Sequence, residues 1–327
     1  MDWKDQLKDI WNRVAWTGTA AFNLPGALFE VQPDFVLGAR FAGKANGNGH
    51  SQLGRLAVEP LAPGAVAASP AGPVILNESA VVKAFQEVVA KVGNGQPRAG
   101  LLVPDGAVRV GVFPFEELPS GKREAATLVG WRMRETLPYP PVEARISYQT
   151  LRPAAGGLEI AAVAARSSVV AEFEGLLDAI NRSAYMILPA TMALLPLLPA
   201  QGESGHLLVH VYSGMATLAV TQGERLRFWR TRDLTGLDLD EMFRQVAAEA
   251  ARVLASSEDR LDVHLGPLRL SVRPPATGEW AGRLASTLGR EVVLLEPSAE
   301  VAALLAGPDR TAFRTYGAPI AGLAANR

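Results

Sequence analysis

The sequence predicts an α/β protein of two related lobes. Runs of strand-like alternation and runs of helical period interleave in two halves of similar size, the pattern of helices laid on sheets. A plan of strand, hairpin and helix is present near residue 35 and again near residue 207. Its recurrence predicts two copies of one architecture facing each other across a cleft. With 327 residues, 48% of them hydrophobic, the chain can bury a sizeable core in each half.

From the N-terminus, residues 2–14 pattern as an amphipathic helix, with Trp3, Leu7, Ile10, Trp11 and Val14 on one stripe. Such a helix packs on its own domain or docks on a partner. Its charges cancel, so attraction to anionic lipid is not predicted. FVLGARF (35–41) reads as a buried strand, and GKANGNGHSQLG (43–54) as a flexible loop because of its Gly and Asn density. LAVEPL is the next strand, and a Pro/Ala-rich stretch runs to about residue 73. Asn77 is placed to cap a helix ending at Gly93, whose apolar face carries Val81, Phe85, Val88 and Val92. RAGLLVPD and VRVGVFPF are strands separated by a turn at Asp105-Gly106. A helix over 122–137 is stopped by Pro138, Pro140 and Pro141. ARISYQTL and LEIAAVAA are strands joined by a Gly156-Gly157 turn, and Ser167 is expected to cap a helix ending near Ser183.

In the second half, LLVHVYSGMATLAVTQGERLRF (207–228) reads as a strand, a tight turn at Ser213-Gly214 and a second strand. A long helix follows from about Asp238. LDVHLG and EVVLLEP are strands with a helix near 278–288 between them, and SAEVAALLAG and APIAGLAANR are short closing helices.

Composition narrows the function. A net charge of -1 does not supply the basic footprint of a general nucleic-acid binder. The absence of cysteine excludes disulfides, zinc–thiolate sites and cysteine nucleophiles. The most apolar run, 185–200, is interrupted by Pro189, Pro196 and Pro199 and is too short to span a bilayer. The first residues carry charges of both signs and do not pattern as a signal peptide. P-loop, Rossmann and G-x-S-x-G motifs are lacking. His206 and His210 are four apart, but on a strand that spacing separates them by roughly 13 Å, which argues against a metal pair. Asp238, Asp240 and Glu241 open a helix, where negative charge suits the helix dipole.

The order of segments resembles the type IV pilus assembly protein PilM family, and more distantly FtsA and the actin-like ATPases. The resemblance rests on VLGARFAGK (36–44), LAVEPLAPGAV (56–66), VPDGAVRVGVFPFEELP (103–119), GWRMRETLPYPPVEARISYQTL (130–151), LEIAAVAARSSVVAEFEGLLDAI (158–180) and the closing GAPIAGLAANR. It implies a two-lobed actin-like (ASKHA) α/β fold with an inserted 1C-type subdomain. On this chain it implies an N-terminal helix and linker at 1–30, a first lobe at 31–95 and 160–200, and the insertion at 96–159. The second lobe follows at 203–315, and a C-terminal helix at 316–327 returns to the first lobe.

The same resemblance implies two phosphate hairpins, each with an Asp-x-Gly that organises Mg²⁺. Laid on this chain, the first falls on Gly38, Arg40 and Ala42, and the second on His210, Tyr212 and Gly214. Arg40 and His210 replace the aspartates, and Ala42 and Tyr212 replace glycines. The adenosine corner reduces to Gly266 followed by Pro267. Exchanging two carboxylates for Arg and His shifts the site by about two positive charges and disfavours Mg²⁺ and ATP hydrolysis. The expectation is a pseudo-ATPase without a required cofactor, although an arginine still allows metal-free phosphate binding. The resemblance further implies a cytosolic scaffold at the inner face of the inner membrane. It would bind the cytoplasmic tail of a PilN-like membrane protein and sit near pilus assembly ATPases. Arg132, Arg134, Leu137 and Tyr139 are the candidate tail-binding residues, with core packing and a solvated basic face as the plainer roles. The other readings are an ATP-binding member of the family, a sugar-kinase-like enzyme, and the cytosolic domain of a type II secretion protein.

Overall fold

The computed structural model describes residues 24–42, 52–93, 97–151, 157–200, 204–274 and 279–325. The helix expected over 2–14 and the loop residues 43–51 lie outside them.

Two five-stranded sheets share one topology. The first, in the order β3-β2-β1-β4-β8, is built from β1 (Ala27–Val31), β2 (Phe35–Ala42), β3 (Gln52–Pro60), β4 (Arg98–Val103) and β8 (Ser183–Pro189). The second, β11-β10-β9-β12-β13, is built from β9 (Gly205–Tyr212), β10 (Met215–Gln222), β11 (Arg225–Asp233), β12 (Leu268–Val272) and β13 (Val292–Leu294). In each, the first three strands form an antiparallel meander and the last two run parallel to the first. The expected duplication is therefore present. Its register differs: the strand equivalent to β9 is β1, which the sequence reading placed in a linker, and FVLGARF is the second strand of its hairpin.

Helices complete the layers. α1 (Glu78–Val92) starts where Asn77 accepts the Ala80 N–H, and buries Val81, Phe85, Val88 and Val92. α3 (Ser167–Asp178) packs with it on the first lobe, and its Ser167 is the first helical residue, donating to the Glu143 carbonyl rather than capping. α4 (Leu239–Leu261) opens on Asp238, which accepts the Glu241 N–H, and α5 (Glu279–Leu288) packs beside it. The insertion is a three-stranded sheet, β5-β7-β6, from β5 (Arg109–Phe115), β6 (Ala144–Leu151) and β7 (Leu158–Arg166). α2 (Lys122–Met133) covers it through Val129 and Met133.

Several boundaries move for physical reasons. β4 is buried along nearly its whole length between β1 and β8, as an interior parallel strand must be, so the insertion begins at β5 rather than at residue 96. β7 carries the insertion to Arg166. The helix expected to reach Ser183 stops after Asp178. Asn181 then takes the left-handed conformation, at φ 55°, and β8 begins. α2 ends at Met133, and a 3-10 turn, Arg134–Thr136, leads to the prolines. The expected hairpin at 207–228 is a three-stranded meander with its second turn at Gly223, φ 57°. LDVHLG forms only an isolated bridge at Leu265, and the strand starts beyond Pro267, which has no N–H to donate. α6 (Ala299–Leu304) and α7 (Gly307–Tyr316), expected in the second lobe, pack on the first through Ala302, Leu305 and Phe313. Arg55 of β3 donates to Asp309 at 2.8 Å there. α8 (Ala318–Ala325) lies on the 3-10 run Ala190–Leu197. A Cβ at Gly322 would stand 1.9 Å from the Ala193 carbonyl oxygen, so this approach requires glycine.

Candidate functional site between the two hairpins

The cleft is closed by the turns that follow β1 and β9. Ser213 and Gly214 adopt φ 46° and 71°, the left-handed pair of a tight two-residue hairpin. Ser213 Oγ donates to Asp34 in the opposite turn at 2.5 Å. Glu30 lies opposite Leu102, the penultimate residue of β4, and His210 opposite Ser271, the penultimate residue of β12. Glu30 and His210 thus hold equivalent places, as do Gln32 and Tyr212 two residues on.

The residues assigned to the first hairpin therefore have other roles. Gly38 lies on β2, where a Cβ would stand 2.2 Å from Val88 Cγ1, so it allows α1 to approach the sheet. Arg40 points its guanidinium to the C-terminal end of α1 beside Gly93, where a cation offsets the helix dipole. Ala42 closes β2. Gly266 lies at the start of β12, its N–H bonded to the Gly205 carbonyl, at the end of the sheet remote from the hairpin turn. The segment leaving β12 toward the cleft instead carries Arg273. His210, Tyr212 and Gly214 are at the hairpin as expected.

Arg273 spans the lobes. It is 2% exposed and donates to both oxygens of Glu30, itself 0% exposed, at 2.6 and 3.1 Å. Its second terminal nitrogen also donates to the Tyr316 carbonyl at 2.9 Å. Gln32 donates to Glu30 at 2.8 Å. The guanidinium carbon lies 5.6 Å from the Phe35 ring and 5.8 Å from the Tyr212 ring, so two aromatic rings flank it, while its Nε has no hydrogen-bond partner.

A second buried centre is Asp105, two residues beyond β4. Its Oδ1 accepts the Thr191 N–H at 3.0 Å, and its Oδ2 accepts the Thr191 and Thr217 hydroxyls. Its own N–H donates to the Tyr212 hydroxyl at 3.1 Å. In its ionised form Asp105 accepts only, and that form orients the rest of the network. With its proton on Asp105, Thr191 must accept from His210 Nδ1 at 2.8 Å. Thr217 likewise accepts from Thr231 at 3.0 Å, and Thr231 from the Trp229 indole at 3.2 Å. With Asp105 ionised, His210 is the neutral Nδ1–H tautomer, and its ring stacks 4.1 Å from that of Tyr212. Burial pushes the Asp105 carboxyl up, opposed by its Thr191 and Thr217 bonds. Burial first, and then the Arg273 charge, hold His210 well below its usual range.

A pH dependence follows from His210. An unfolded histidine takes up a proton as pH falls through about 6.5, whereas the folded one does not. Its contribution to stability is complete above that pH and declines below it. Asp105, with its raised pKa, acts in the opposite sense, so the measurement compares wild type with His210→Asn. The stability difference between them is expected to fall by about 1.4 kcal/mol per pH unit below 6.5 in urea titrations. A pH-independent difference contradicts the neutral assignment.

Glu30, Asp105, Thr191, Thr217 and Arg273 were missed by the sequence reading. The available signal was a lone charge inside an apolar run: Glu30 within ALFEV. Among the described residues, no group of three or more His, Asp or Glu could hold a metal ion. The donor set does not suit Mg²⁺ either. Of the two carboxylates of the first hairpin, Glu30 is taken by a guanidinium and Asp34 accepts from Ser213, and the other hairpin offers a neutral imidazole.

The four tail-binding candidates separate. Arg132 and Arg134 are exposed, with Arg134 stacked 4.5 Å over Trp131. Leu137 is half-buried on the core of the insertion, and Tyr139 is buried. Burial pushes the Tyr139 hydroxyl up to about 12, and it has no hydrogen-bond partner. Arg166, 6.0 Å from the Tyr139 ring, donates to the Ala71 carbonyl and so bridges the insertion to the first lobe.

Two matching sheets of this order, the first interrupted by an insertion between β4 and β8, and closed on each other by paired hairpins, define the actin-like class. By sequence the chain matches no protein-family model and no curated protein. A chain of a solved PilM–PilN type IV pilus biogenesis complex shares the fold at a TM-score of 0.74, covering 92% of this chain and 98% of that one at 18% identity. The cytoplasmic domain of EpsL, an inner membrane component of the type II secretion system of Vibrio cholerae, matches at a TM-score of 0.49 and 12% identity over 85% of this chain and 91% of that one. Among the described residues, no helix is long and apolar enough to cross a membrane.

Proposed function

We propose that this protein is a non-catalytic, PilM-like scaffold of a type IV pilus or related secretion platform. It acts in the cytoplasm at the inner membrane and binds the cytoplasmic tail of a PilN-like membrane protein, with pilus assembly ATPases as neighbouring partners. The observation that carries this reading is the content of the cleft. Where an actin-like ATPase brings carboxylates and glycines to a metal–nucleotide, this chain brings Arg273 paired to Glu30, and the His210 and Tyr212 rings. Entry of a nucleotide would break buried cross-lobe bonds and leave charges unpaired. The tail is assigned to the junction of insertion and first lobe, beside Arg166 and Tyr139.

Isothermal titration with ATP and Mg²⁺ is expected to give no magnesium-dependent heat, while immobilised PilN-like tail peptide retains the protein at low salt. Magnesium-dependent binding at low micromolar ATP overturns the non-catalytic reading, and failure of retention overturns the adaptor reading.

A further inference from the structure

The outer face of the second lobe carries an arginine cluster that the scaffold reading does not use. Glu249 of α4 is 2% exposed and accepts from three arginines: Arg230 at 2.6 Å, Arg232 at 2.9 Å and Arg252 at 2.8 Å. Arg230 and Arg232 project from β11, two residues apart and so on one face. Three guanidiniums on one carboxylate leave two positive charges in excess. They are also held in place: Glu249 uses both oxygens to fix them, while about half or more of each guanidinium side chain remains exposed, at 46%, 48% and 66%. Over the trough as a whole the excess is smaller: Arg244 and Arg260 add two charges while Asp233, Glu241 and Asp259 remove three, leaving one positive charge, with Arg230, Arg232 and Arg252 grouped at Glu249.

The cluster divides a trough between β11 and α4. One chamber, about 650 Å³, includes Arg232, Glu249 and Arg252 in its wall. The other, about 560 Å³, shares Glu249 and Arg252 and adds an apolar wall of Phe228, Val253 and Leu261. A single ion needs far less room. Preorganised guanidiniums suit carboxylates in bidentate geometry, and the adjoining apolar chamber suits an aliphatic or aromatic side chain next to them.

We propose that this trough docks an acidic segment of a protein partner, with carboxylates on Arg230, Arg232 and Arg252 and an apolar side chain in the chamber lined by Phe228. The trough adjoins the insertion, since Arg227 of β11 donates to Glu159 of β7 at 3.3 Å, but its lining belongs to the second lobe and the proposal does not rest on the scaffold reading.

Fluorescence anisotropy on the full chain tests this, with a fluorescein-labelled peptide alternating glutamate and leucine as the probe. Binding is expected below about 1 mM at low salt, weakening as salt rises. Arg232→Gln and Arg252→Gln are each expected to weaken it about fivefold to tenfold, with thermal melts confirming that both variants fold. Lys122→Gln removes the same charge from the distant α2 and is expected to leave binding unchanged. The proposal is overturned if the probe does not bind, if Lys122→Gln weakens binding as much as the cluster variants do, or if inorganic phosphate or phosphatidylglycerol vesicles bind the cluster while the peptide does not.

Discussion

Arg273→Met is expected to destabilise the protein by about 3–5 kcal/mol. The substitution nearly preserves volume, so the loss is electrostatic rather than a cavity effect. It leaves the Glu30 carboxylate at full burial with only the Gln32 amide as a donor, and removes the bond to the Tyr316 carbonyl. The drop in melting temperature is on the order of 10 °C. The diagnostic measurement is the double variant Glu30→Gln/Arg273→Met, which removes both charges together. It is expected to recover most of the loss, because the cost lies in an unpaired buried charge rather than in the pair's net attraction. A single-variant loss under about 1 kcal/mol would show that water reaches the cleft and that the lobes are not held by this pair.

Asp105→Ala is the second large effect, at about 3–4 kcal/mol in urea denaturation. It strands three buried donors at once: the Thr191 N–H, the Thr191 hydroxyl and the Thr217 hydroxyl. The fault propagates, because Thr191 links to His210 and Thr217 to Thr231. Asp105→Asn keeps one acceptor oxygen and sets an amide against a hydroxyl that can reverse, so its cost is smaller, about 1–2 kcal/mol. Equal losses for the two variants would mean that the carboxylate does not organise the network.

Both centres join the two lobes through side chains of the protein itself. In this chain the cross-lobe bonds are internal. Arg273 supplies the positive charge, and Tyr212 and His210 supply the bulk between the hairpins.

Much of the architecture was legible in the residues. Helical period and end signals placed α1 and α4, with Asn77 and Asp238 as their caps. The hairpin carrying His210 was visible because its strand is long, apolar and followed by Ser-Gly. The first hairpin was misread for the opposite reason. β1 has five residues, with a charge at the fourth and no glycine after it, whereas FVLGARF offers both length and glycine.

The sequence by itself determined the two-lobed α/β plan, the starts of α1 and α4 and the turn at Ser213-Gly214, since those signals act over a few neighbouring residues. Only the tertiary structure decided which strand is the counterpart of β9, and that Glu30 meets Arg273 across 243 residues. Strand identity depends on sheet neighbours. A buried ion pair depends on two strand ends reaching the same dry volume, and local periodicity carries no record of that encounter.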